Sequence, residues 1–578
     1  MPQPTETELN FDNLPRYQRR RFVPDQADLG QANETVALYQ KLLDRPIDNP
    51  ADLEAWLLDW SELDSAVSQE GAVRYIRMTC QTDDPARAQA YKEFVETVAP
   101  SAKVISDKLA RKYLAQRERW EGGPRYAVHD RGLRADVELF REPNVPLQTQ
   151  EALLSQEYQT VCGAMAVQFD GQERTLAQMS KYLLEVDRPV RQSAWRLVAQ
   201  RRLQEKDRLE ELFDKMFALR RQIAANANCA DYRAYQFRAF HRFDYTPEDC
   251  LRYHDAVAQR VVPLWRKILL HRREQMKLDA LQPWDTSVDP QGRPPLKPFE
   301  QASQLMERGQ EVFRLTDPTL GEQFAQMRQM GLLDLANRKG KAPGGYQSTL
   351  SEARRPFIFM NAVGVDQDVR TLLHEGGHAF HALAAIDEPL LAYRSAPMEF
   401  CEVASMSMEL LAGEHLGAFY NEEDLRRSRR RHLEDIIFIL PWIATVDAFQ
   451  HWIYTHPDQT PGQRRQAWEE IYQRFSGEVI DWTGLEEERA YMWHRQLHIF
   501  EYPFYYIEYG IAQLGALQVW VRAKKDPRQA LADYRNALSL GGSQPLPALF
   551  QAAGLAFDFS QRTIGPLVDA VEAELEKL

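Results

Sequence analysis

Apolar residues recur at spacings of three and four along most of this chain, and this periodicity constrains the fold more than any other feature. Two clear stretches in residues 51–119 are ADLEAWLLDWSELDSAV and RAQAYKEFVETVA. Side chains at such spacings share one face of an α-helix, so each stretch can bury an apolar stripe against a neighbour. The same pattern continues through residues 153–202 and 209–225. The sequence therefore predicts a mainly α fold.

A proline-rich segment, LQPWDTSVDPQGRPPLKPFE at residues 281–300, interrupts the helical pattern. Its five prolines and its DPQG turn signal predict a loop or a connection between lobes. We therefore divide the chain into a helical N-terminal lobe region, 1–290, and a second region, 291–578, whose last helices are free to pack back on the first lobe. The aromatic segment RPFIFMN, residues 355–361, predicts one short strand in this second region.

Composition argues against two classes of partner and indicates a cytoplasmic protein. The net charge of -13 argues against nucleic acid and anionic membranes, which both need a basic face. Five cysteines without a CxxC pair indicate reduced thiols, and the N-terminus lacks the apolar core of a signal peptide. The longest apolar stretch, 436–446, is too short to span a bilayer, and we expect residues 435–454 to form a buried helix kinked at Pro441. The sequence leaves the oligomeric state open.

The segment TLLHEGGHAFHALAA, residues 371–385, contains the pattern H-E-x-x-H as His374, Glu375 and His378. Residues four apart on a helix lie about 6 Å apart on one face, so the two imidazoles can bind one tetrahedral Zn²⁺. Zinc lowers the pKa of a bound water toward ~7, and Glu375 is placed to take its proton while the water attacks a carbonyl. With 13 histidines in the chain, a chance match is expected on the order of a few hundredths of a time. The motif predicts a zinc site with Glu375 as the general base.

Two glycines, Gly376 and Gly377, lie in the middle of this predicted helix. Each costs about 1 kcal/mol against alanine, so we expect a neighbouring helix or the metal site to approach the backbone closely there. His381 follows one turn later, and we expect it to be a packed helix residue and not a metal ligand.

The third protein ligand must come from elsewhere, because the residues after His378 do not continue the pattern HExxHxxGxxH. A catalytic zinc usually has three protein ligands and one open position. A second helical run, RSAPMEFCEVASMSMELL at residues 394–411, offers three carboxylates: Glu399, Glu402 and Glu409. Spacing alone leaves both Glu402 and Glu399 open as the third ligand.

Three blocks of sequence resemble the thimet oligopeptidase and oligoendopeptidase F family of zinc peptidases. HEGGHAFH with EVASMSMEL resembles the family's zinc helix and third-ligand helix. RKGKAPGGYQ, residues 338–347, followed by RPFIFMN resembles its glycine-rich loop and substrate-facing strand. HIFEYPFYYIEYGIAQLGALQ, residues 498–518, resembles its C-terminal His/Tyr segment, most closely in the oligoendopeptidase F and Pz-peptidase branch.

This resemblance implies Glu402 as the third ligand of one zinc per chain. It also implies a two-lobed helical ellipsoid with a deep substrate channel, a small β element beside the HExxH helix, and endopeptidase activity on short unfolded oligopeptides. The strand at 355–361 could pair with an extended peptide. The expected substrate-binding residues near it are Gly344, Gly345 and Tyr346. Glu409 is either a partner of a zinc-binding histidine or a surface carboxylate.

The C-terminal His/Tyr segment is suited to stabilise an oxyanion. When water adds to a peptide carbonyl, the oxygen becomes an anion that neutral donors can stabilise. By the resemblance, we predict His498 and Tyr509 as catalytic donors, Tyr505 next, and Tyr506 as a substrate-binding residue. Which tyrosine stabilises the oxyanion is left open. Phe500 and Phe504 are expected in the core.

Two alternatives compete with the endopeptidase. A related helical zinc carboxypeptidase or dipeptidyl carboxypeptidase would also use HExxH with a downstream glutamate. Such an enzyme needs a group that fixes the terminal carboxylate of its substrate, and the sequence identifies none. A peptide-holding helical clamp without chemistry is the second alternative. It is disfavoured because all four residues of the predicted machinery are present: His374, Glu375, His378 and Glu402.

Overall fold

The computed structural model describes residues 11, 14–120 and 123–578. The described chain is mainly helical, as the apolar periodicity predicts. The helices of the first half are α1 (Ala32–Asp44), α2 (Pro50–Cys80), α3 (Pro85–Glu93), α4 (Ala99–Arg119), α5 (Ala127–Leu139), α6 (Asn144–Gly163), α7 (Leu176–Met179), α8 (Arg188–Leu203), α9 (Lys206–Asn226), α10 (Tyr232–Ala239), α11 (Pro247–Ala256) and α12 (Val262–Gln275). Those of the second half are α13 (Ala302–Thr316), α14 (Pro318–Gln329), α15 (Asp366–Ala384), α16 (Met398–Ala412), α17 (Glu422–Thr455), α18 (Pro461–Phe475), α19 (Glu486–Ala490), α20 (Leu497–Glu501), α21 (Ile507–Lys525), α22 (Pro527–Ser539), α23 (Leu546–Ala552) and α24 (Gln561–Leu575).

Two small sheets complete the described secondary structure. Strands β1 (Ala166–Phe169) and β2 (Gln172–Thr175) form an antiparallel hairpin. The second sheet contains β3 (Leu333–Ala336), β4 (Tyr346–Leu350) and β5 (Arg355–Ala362) in the order β3-β5-β4. Strand β5 is parallel to β3 and antiparallel to β4. The predicted strand at 355–361 is therefore confirmed.

The prediction that residues 355–361 pair with an extended peptide is wrong. Strand β5 is the central strand of its sheet, so β3 and β4 occupy its two edges. A peptide can add only to an edge strand, whose outer N–H and C=O groups have no strand partner. Strand β4 is one edge of this sheet, and it is the strand that follows directly after the glycine-rich loop.

The chain forms two compact units that interleave along the sequence. Unit 1 comprises Met1–Val137, Lys297–Leu425 and Gly515–Phe557, and unit 2 comprises Glu138–Leu296, Arg426–Leu514 and Asp558–Leu578. The proline-rich segment 281–300 contains one change of unit, close to the boundary that we placed at 290/291. The units are nevertheless not the consecutive halves 1–290 and 291–578. Each unit needs three separate stretches of chain, and local periodicity carries no signal for that.

Each unit has its own apolar core. In unit 1, a cluster built largely from α1, α2 and α4 includes Leu42, Trp56 and Tyr113, all without exposed surface. Asn49 begins α2 by accepting a hydrogen bond from the backbone N–H of Asp52. In unit 2, most of α17 is buried. The expected buried helix at 435–454 is thus confirmed.

Helix α17 is also long and apolar enough to cross a membrane by length and composition alone. Its mean hydropathy over the most apolar window is 1.4, and 78% of that window is buried inside the protein. The five cysteines, Cys80, Cys162, Cys229, Cys250 and Cys401, are free thiols, as expected.

Candidate metal centre and active site

Helix α15 carries the H-E-x-x-H pattern, and a carboxylate fixes where this helix begins. Asp368 Oδ2 accepts hydrogen bonds from the backbone N–H groups of Val363, Gly364 and Val365 at 2.8, 2.8 and 3.0 Å. A side-chain oxygen in the first turn satisfies N–H groups that have no partner within the helix. Gly364 has φ +96, which favours glycine, and the chain turns there from β5 into the helix.

His374, His378 and Glu402 converge on one point in unit 1. Glu402 Oε2 lies 3.4 Å from Nε2 of His374 and 3.6 Å from Nε2 of His378. All three ligand atoms lie within 4.8 Å of one another. Ligand atoms bound at ~2.0–2.1 Å to a tetrahedral ion lie roughly 3.4 Å apart, so these residues fit a zinc ion. The structure places Glu402 in this group; the other spacing candidate, Glu399, is not part of it.

The expectations for the two helix glycines and for His381 are confirmed. A Cβ atom on Gly377 would lie 2.6 Å from the Cα atom of Ser405 in α16, and one on Gly376 would lie 2.5 Å from the ring of Phe313. Gly377 therefore lets α16 approach α15 closely enough to bring in its carboxylate, and Gly376 makes room for the Phe313 ring of α13. His381 is 4% exposed, and burial lowers its pKa to about 3, as in a packed neutral imidazole.

Further polar contacts orient two of the ligands. Glu409 Oε1 lies 2.8 Å from Nδ1 of His374, so Glu409 is a histidine partner and not a surface carboxylate. A carboxylate only accepts, so the proton of a neutral His374 is on Nδ1 and its Nε2 lone pair faces Glu402. Ser405 donates to Glu402 Oε2 at 3.0 Å and is fully buried. The hydrogen bond from Nδ1 of His374 to Glu409 is the kind of contact that orients a metal-binding histidine.

Two of the three ligand groups are in the protonation states that bind a cation. The third, His374, must lose a proton when a metal binds: burial lowers its pKa, but hydrogen bonds with Glu402 and Glu409 raise it well above its ordinary value. Burial lowers the pKa of His378 to about 4, although Glu402 opposes this shift. Burial raises the pKa of Glu402, but hydrogen bonding and charge from the two histidines lower it below its ordinary value. Neutral His378 and ionised Glu402 are therefore the favoured forms near pH 7.

Glu375 is buried beside this group, with 6% of its surface exposed. Burial raises its pKa to about 7, against the opposing charge of His374 and a backbone hydrogen bond from Gln347 in β4. A general base works best when its pKa is close to the working pH. The glycine-rich loop lies close to it, since a Cβ atom on Gly345 would be 3.8 Å from Glu375 Oε1.

The glycine-rich loop and its tyrosine differ in accessibility. Gly344 and Gly345 are exposed, and Gly344 has φ +95, a conformation that glycine adopts without strain. The ring of Tyr346 stacks on Phe359 with centroids 4.7 Å apart, and its hydroxyl lies 2.6 Å from Thr79 Oγ1. The Tyr346 hydroxyl thus already has a hydrogen-bond partner within the chain, Thr79, whereas the two glycines are exposed to solvent.

The His/Tyr segment forms an aromatic cluster in unit 2. The ring centroid of His498 lies 5.8, 4.8 and 5.9 Å from those of Tyr505, Tyr506 and Tyr509. Tyr505 and Tyr509 are half-buried, whereas Tyr506 is 8% exposed and burial raises its pKa to about 12. The predicted substrate-binding role of Tyr506 stays a prediction, and its side chain is more buried than those of the other two tyrosines. Tyr505 and Tyr509 are the accessible tyrosines of this group.

A relay of hydrogen bonds sets the tautomer of His498. The Trp442 indole N–H donates to Gln496 Oε1 at 3.0 Å, and an indole can only donate. The Gln496 amide nitrogen therefore faces His498 and donates to its Nδ1 at 2.8 Å. Burial lowers the pKa of His498 to about 4, so at neutral pH the ring is uncharged with its proton on Nε2. This is the neutral donor that we expected an oxyanion site to use.

A second set of contacts fixes the turn between His498 and Tyr509. Phe504 has φ +67, an uncommon conformation for a bulky residue, and its ring is fully buried, as expected for the core. Its N–H donates to Gln450 Oε1 at 2.6 Å, and Arg242 Nη2 donates to its carbonyl at 2.5 Å and to Glu508 at 2.7 Å. Gln450 and Arg242 were missed from the sequence because they lie far from Phe504 in the chain and carry no local motif.

Comparison with known proteins covers the stretch of chain that contains this site. The family model described as peptidase family M3 matches residues 182–564, which contain every predicted metal and catalytic residue. The chain belongs to peptidase family M3. Oligopeptidase PepF of Bacillus subtilis (strain 168) is 26% identical to this M3 chain over 302 residues, or 50% of the chain and 43% of that protein. The match thus spans less than half the length of this curated relative.

Two solved structures resemble this M3 chain over nearly its whole length. One, of a candidate oligoendopeptidase F, has a TM-score of 0.87 and 28% identity, covering 97% of this chain and 99% of the other. The other, of PZ peptidase A with an inhibitor, has a TM-score of 0.87 and 27% identity, covering 96% and 99%. The mainly α fold with a small β element beside the HExxH helix is therefore shown, and the deep channel stays a prediction.

Proposed function

We propose that this chain is a zinc-dependent endopeptidase that hydrolyses internal bonds of short, unfolded oligopeptides. The observation that carries the proposal is the convergence of His374, His378 and Glu402 within 4.8 Å beside the buried Glu375. Membership of peptidase family M3 supports peptide-bond hydrolysis and a metal. The names oligopeptidase and oligoendopeptidase of its relatives support short substrates.

The residues of the centre have separate roles. His374, His378 and Glu402 would hold one zinc ion, which when bound polarises a carbonyl and acidifies water. Glu375 accepts the proton of the attacking water and passes it to the leaving amine. Its pKa of about 7 lets one carboxyl group do both near neutral pH. Glu409 keeps the ring of His374 in one orientation through its hydrogen bond to Nδ1.

Strand β4 is the element on which we place the substrate backbone. It is an edge strand, and a backbone hydrogen bond from its Gln347 reaches the Glu375 carboxyl group. A peptide that pairs with this edge in an extended conformation would present its carbonyl groups in a fixed register beside the general base. Gly344 and Gly345 leave room for a second backbone at the start of the strand.

The oxyanion donors stay predictions. His498 and Tyr509, with Tyr505 as the next candidate, are assigned by resemblance to the family. Their support within unit 2 is the neutral Nε2–H of His498 and the partial exposure of both tyrosines. Replacing His498 with alanine should reduce kcat far more than it raises KM, because donors of this kind act on the transition state.

The decisive test of the proposal is a Glu375→Gln variant. The carboxamide cannot accept a proton, so we expect about one zinc per chain to be retained while kcat/KM falls about 10²–10⁴-fold. Metal content and cleavage of an internally quenched peptide, blocked at both ends, measure the two quantities. Glu470→Gln, on the exposed face of α18, is the matched control and should leave both unchanged.

The same substrate separates the endopeptidase from the alternative carboxypeptidase or dipeptidyl carboxypeptidase. Internal cleavage of a doubly blocked peptide, mapped by mass spectrometry, requires an endopeptidase. If only peptides with a free C-terminus are cut, the proposal is wrong in its reaction type. Unchanged turnover in Glu375→Gln would remove Glu375 from its role.

We also propose a cytoplasmic location with oligopeptides as the partners, and neither nucleic acid nor membrane as a ligand. Five free thiols and the net charge of -13 support this part of the proposal. Fractionation of cells that produce the protein would test the location.

A further inference from the structure

Unit 2 contains a cavity of about 280 Å³ that the metal centre does not use. Its walls are unusually aromatic, with contributions from Trp195, Trp265, Phe438, Trp442, Tyr472 and Trp482. Phe438 is 42% exposed, so part of this apolar surface is open to solvent. Cavities that bind small ligands are typically ~300–1,000 Å³, mostly apolar, with a few polar groups that fix orientation. This cavity has the size and lining to take one aromatic side chain.

Arg495 supplies the polar group of this cavity. It lines the cavity, is exposed, and places its guanidinium carbon 5.0 Å from the centre of the Trp442 ring. No carboxylate among the described residues lies within salt-bridge distance of it. By contrast, Arg431 in the same lining pairs with Asp435 at 2.9 Å. Arg495 is therefore a cation stacked on an aromatic wall without an anionic partner.

The other charged groups of the lining have partners. Glu434 pairs with Arg430 at 3.3 Å, outside the cavity wall. Arg272 donates to the backbone carbonyls of Asp285 and Val288 at 3.3 and 2.5 Å. The lining thus has one guanidinium whose hydrogen-bonding capacity is left for a ligand.

The surroundings of Arg495 make an anionic ligand favourable. The guanidinium of Arg495 is exposed, and Arg202 adds a second positive charge to its surroundings. A ligand carboxylate can reach this guanidinium and form two parallel hydrogen bonds with it.

The cavity wall is connected to the His/Tyr segment. Trp442, which stacks under Arg495, donates to Gln496, and Gln496 donates to Nδ1 of His498. A ligand held by Arg495 would therefore lie against the residues that orient His498. This connection favours a peptide as the ligand over an unrelated metabolite.

We propose that this cavity binds the C-terminal residue of an oligopeptide, with Arg495 pairing with its free carboxylate and the aromatic walls taking an aromatic or large apolar side chain. A C-terminal residue carries a carboxylate and a side chain on the same Cα atom. The carboxylate suits the guanidinium of Arg495, and the side chain suits the aromatic walls beside it. The proposal deepens the proposed function, on which it depends for the class of ligand. It predicts that this endopeptidase prefers peptides whose C-terminal carboxylate is free.

The test measures binding, without hydrolysis, in Glu375→Gln protein loaded with zinc. The probe is N-acetyl-Gly-Ala-Gly-Ala-Gly-Phe as the free acid and as the C-terminal amide, titrated by calorimetry. Loss of a charge-assisted hydrogen bond costs ~1.5–3 kcal/mol, so the amide should bind roughly 10–100-fold more weakly. Adding Arg495→Gln should remove the difference between the two peptides. Arg562→Gln, an exposed arginine of unit 2, is the matched control and should preserve it.

The aromatic walls have a test of their own. Replacing the C-terminal Phe of the probe with Ser should weaken binding of the free acid about 10-fold, and Phe438→Ala should reduce that penalty. Equal binding of acid and amide, or a preference that survives Arg495→Gln, would overturn the proposal. An amidated probe with a penultimate Glu that binds as tightly as the free acid would also overturn it, because a side-chain carboxylate would then be the ligand. Each of these failures leaves internal cleavage of a doubly blocked peptide, and hence the proposed function, intact.

Discussion

Among the described residues, two groups of potential metal ligands lie in different units, and in both the ligand atoms lie within 4.8 Å of one another. The group in unit 1 is His374, His378 and Glu402, and the group in unit 2 is Cys250, Asp447 and His451. Each includes a pair four residues apart on one helix, α15 in unit 1 and α17 in unit 2. The proximity of the ligand atoms alone would assign a metal to both.

The direction of hydrogen bonding separates the two groups. In unit 1, Nδ1 of His374 faces the acceptor Glu409, so a neutral His374 carries its proton on Nδ1 and leaves the Nε2 lone pair for a metal. In unit 2, Nδ1 of His451 lies 3.2 Å from Nη1 of Arg233, and a guanidinium can only donate. A neutral His451 therefore carries its proton on Nε2, which lies 3.3 Å from Asp447. That nitrogen has no lone pair for a metal.

A further hydrogen bond and the exposure of the side chains agree with this difference. His254, which is outside the group, lies with its Nε2 2.8 Å from Asp447 Oδ2, so a hydrogen bond already occupies the oxygen that would face a metal. Asp447 has no exposed surface, whereas the side chains of His374 and His378 are 24% and 18% exposed. A catalytic metal needs an open position, and only the group in unit 1 provides one.

The group in unit 2 has a structural role beneath the His/Tyr segment. The ring of His451 packs on that of Phe504 with centroids 5.3 Å apart, and Gln450 beside it accepts the N–H of Phe504. The buried polar network thus supports the residue that turns the chain between His498 and Tyr509. The comparison shows that the partners of a histidine, more than its distance from other ligands, decide between metal binding and packing.

The largest expected effect that tests this contrast comes from Glu402→Gln. The neutral amide oxygen is a poor zinc ligand, so we expect zinc to fall from about one per chain to near zero and peptide hydrolysis to fall to background. Metal analysis after dialysis measures this directly. Glu399→Gln, three residues earlier on α16, is the matched control and should keep its zinc. Loss of zinc from the control alone would make Glu399 the third ligand.

Glu409→Gln should weaken the metal centre without abolishing it. Loss of such a partner typically costs 10–100-fold in metal affinity, because the histidine loses its fixed orientation and some of its basicity. Competition with a chelator of known affinity gives the zinc dissociation constant. A variant that binds zinc as tightly as the parent would mean that the contact at 2.8 Å does not orient His374.

Asp447→Asn should lower stability and leave zinc unchanged. The substitution removes a charge-assisted hydrogen bond to His254, which we expect to reduce the free energy of unfolding by about 2 kcal/mol. Urea unfolding at pH 7 measures this change, and metal analysis of the folded variant tests the contrast. A variant that loses a metal ion would show that unit 2 also holds one.

The smallest expected effect is that of Cys250→Ala. Cys250 is fully buried, and its pKa is raised well above the ordinary value by burial, as in an inert neutral thiol. Removing one sulfur atom from a packed site should reduce the free energy of unfolding by about 1 kcal/mol. We expect zinc content and kcat to match those of the parent. A drop in bound metal here would contradict the structural interpretation of unit 2.

The spacing of residues along the sequence was sufficient to predict part of the site, but it did not predict the rest. The helix α15, the pair His374 and His378, and the strand within 355–361 follow from residues close together in sequence. The predicted substrate pairing of that strand was wrong, since strand order depends on β3 and β4 as well. The packed position of Tyr506 and the support of Phe504 by Arg242 and Gln450 likewise come from distant stretches of chain.

The sequence by itself determined that two imidazoles share one helix face with a carboxylate beside them, because helix geometry fixes the separation of residues four apart. Only the tertiary structure decided which carboxylate completes the group, how the chain is divided into two interleaved units, and which histidine cluster is built for a metal. Those outcomes depend on how separate elements pack, as Gly377 and Ser405 show at the contact of α15 with α16. Distances between elements are set by packing, and no local spacing encodes them.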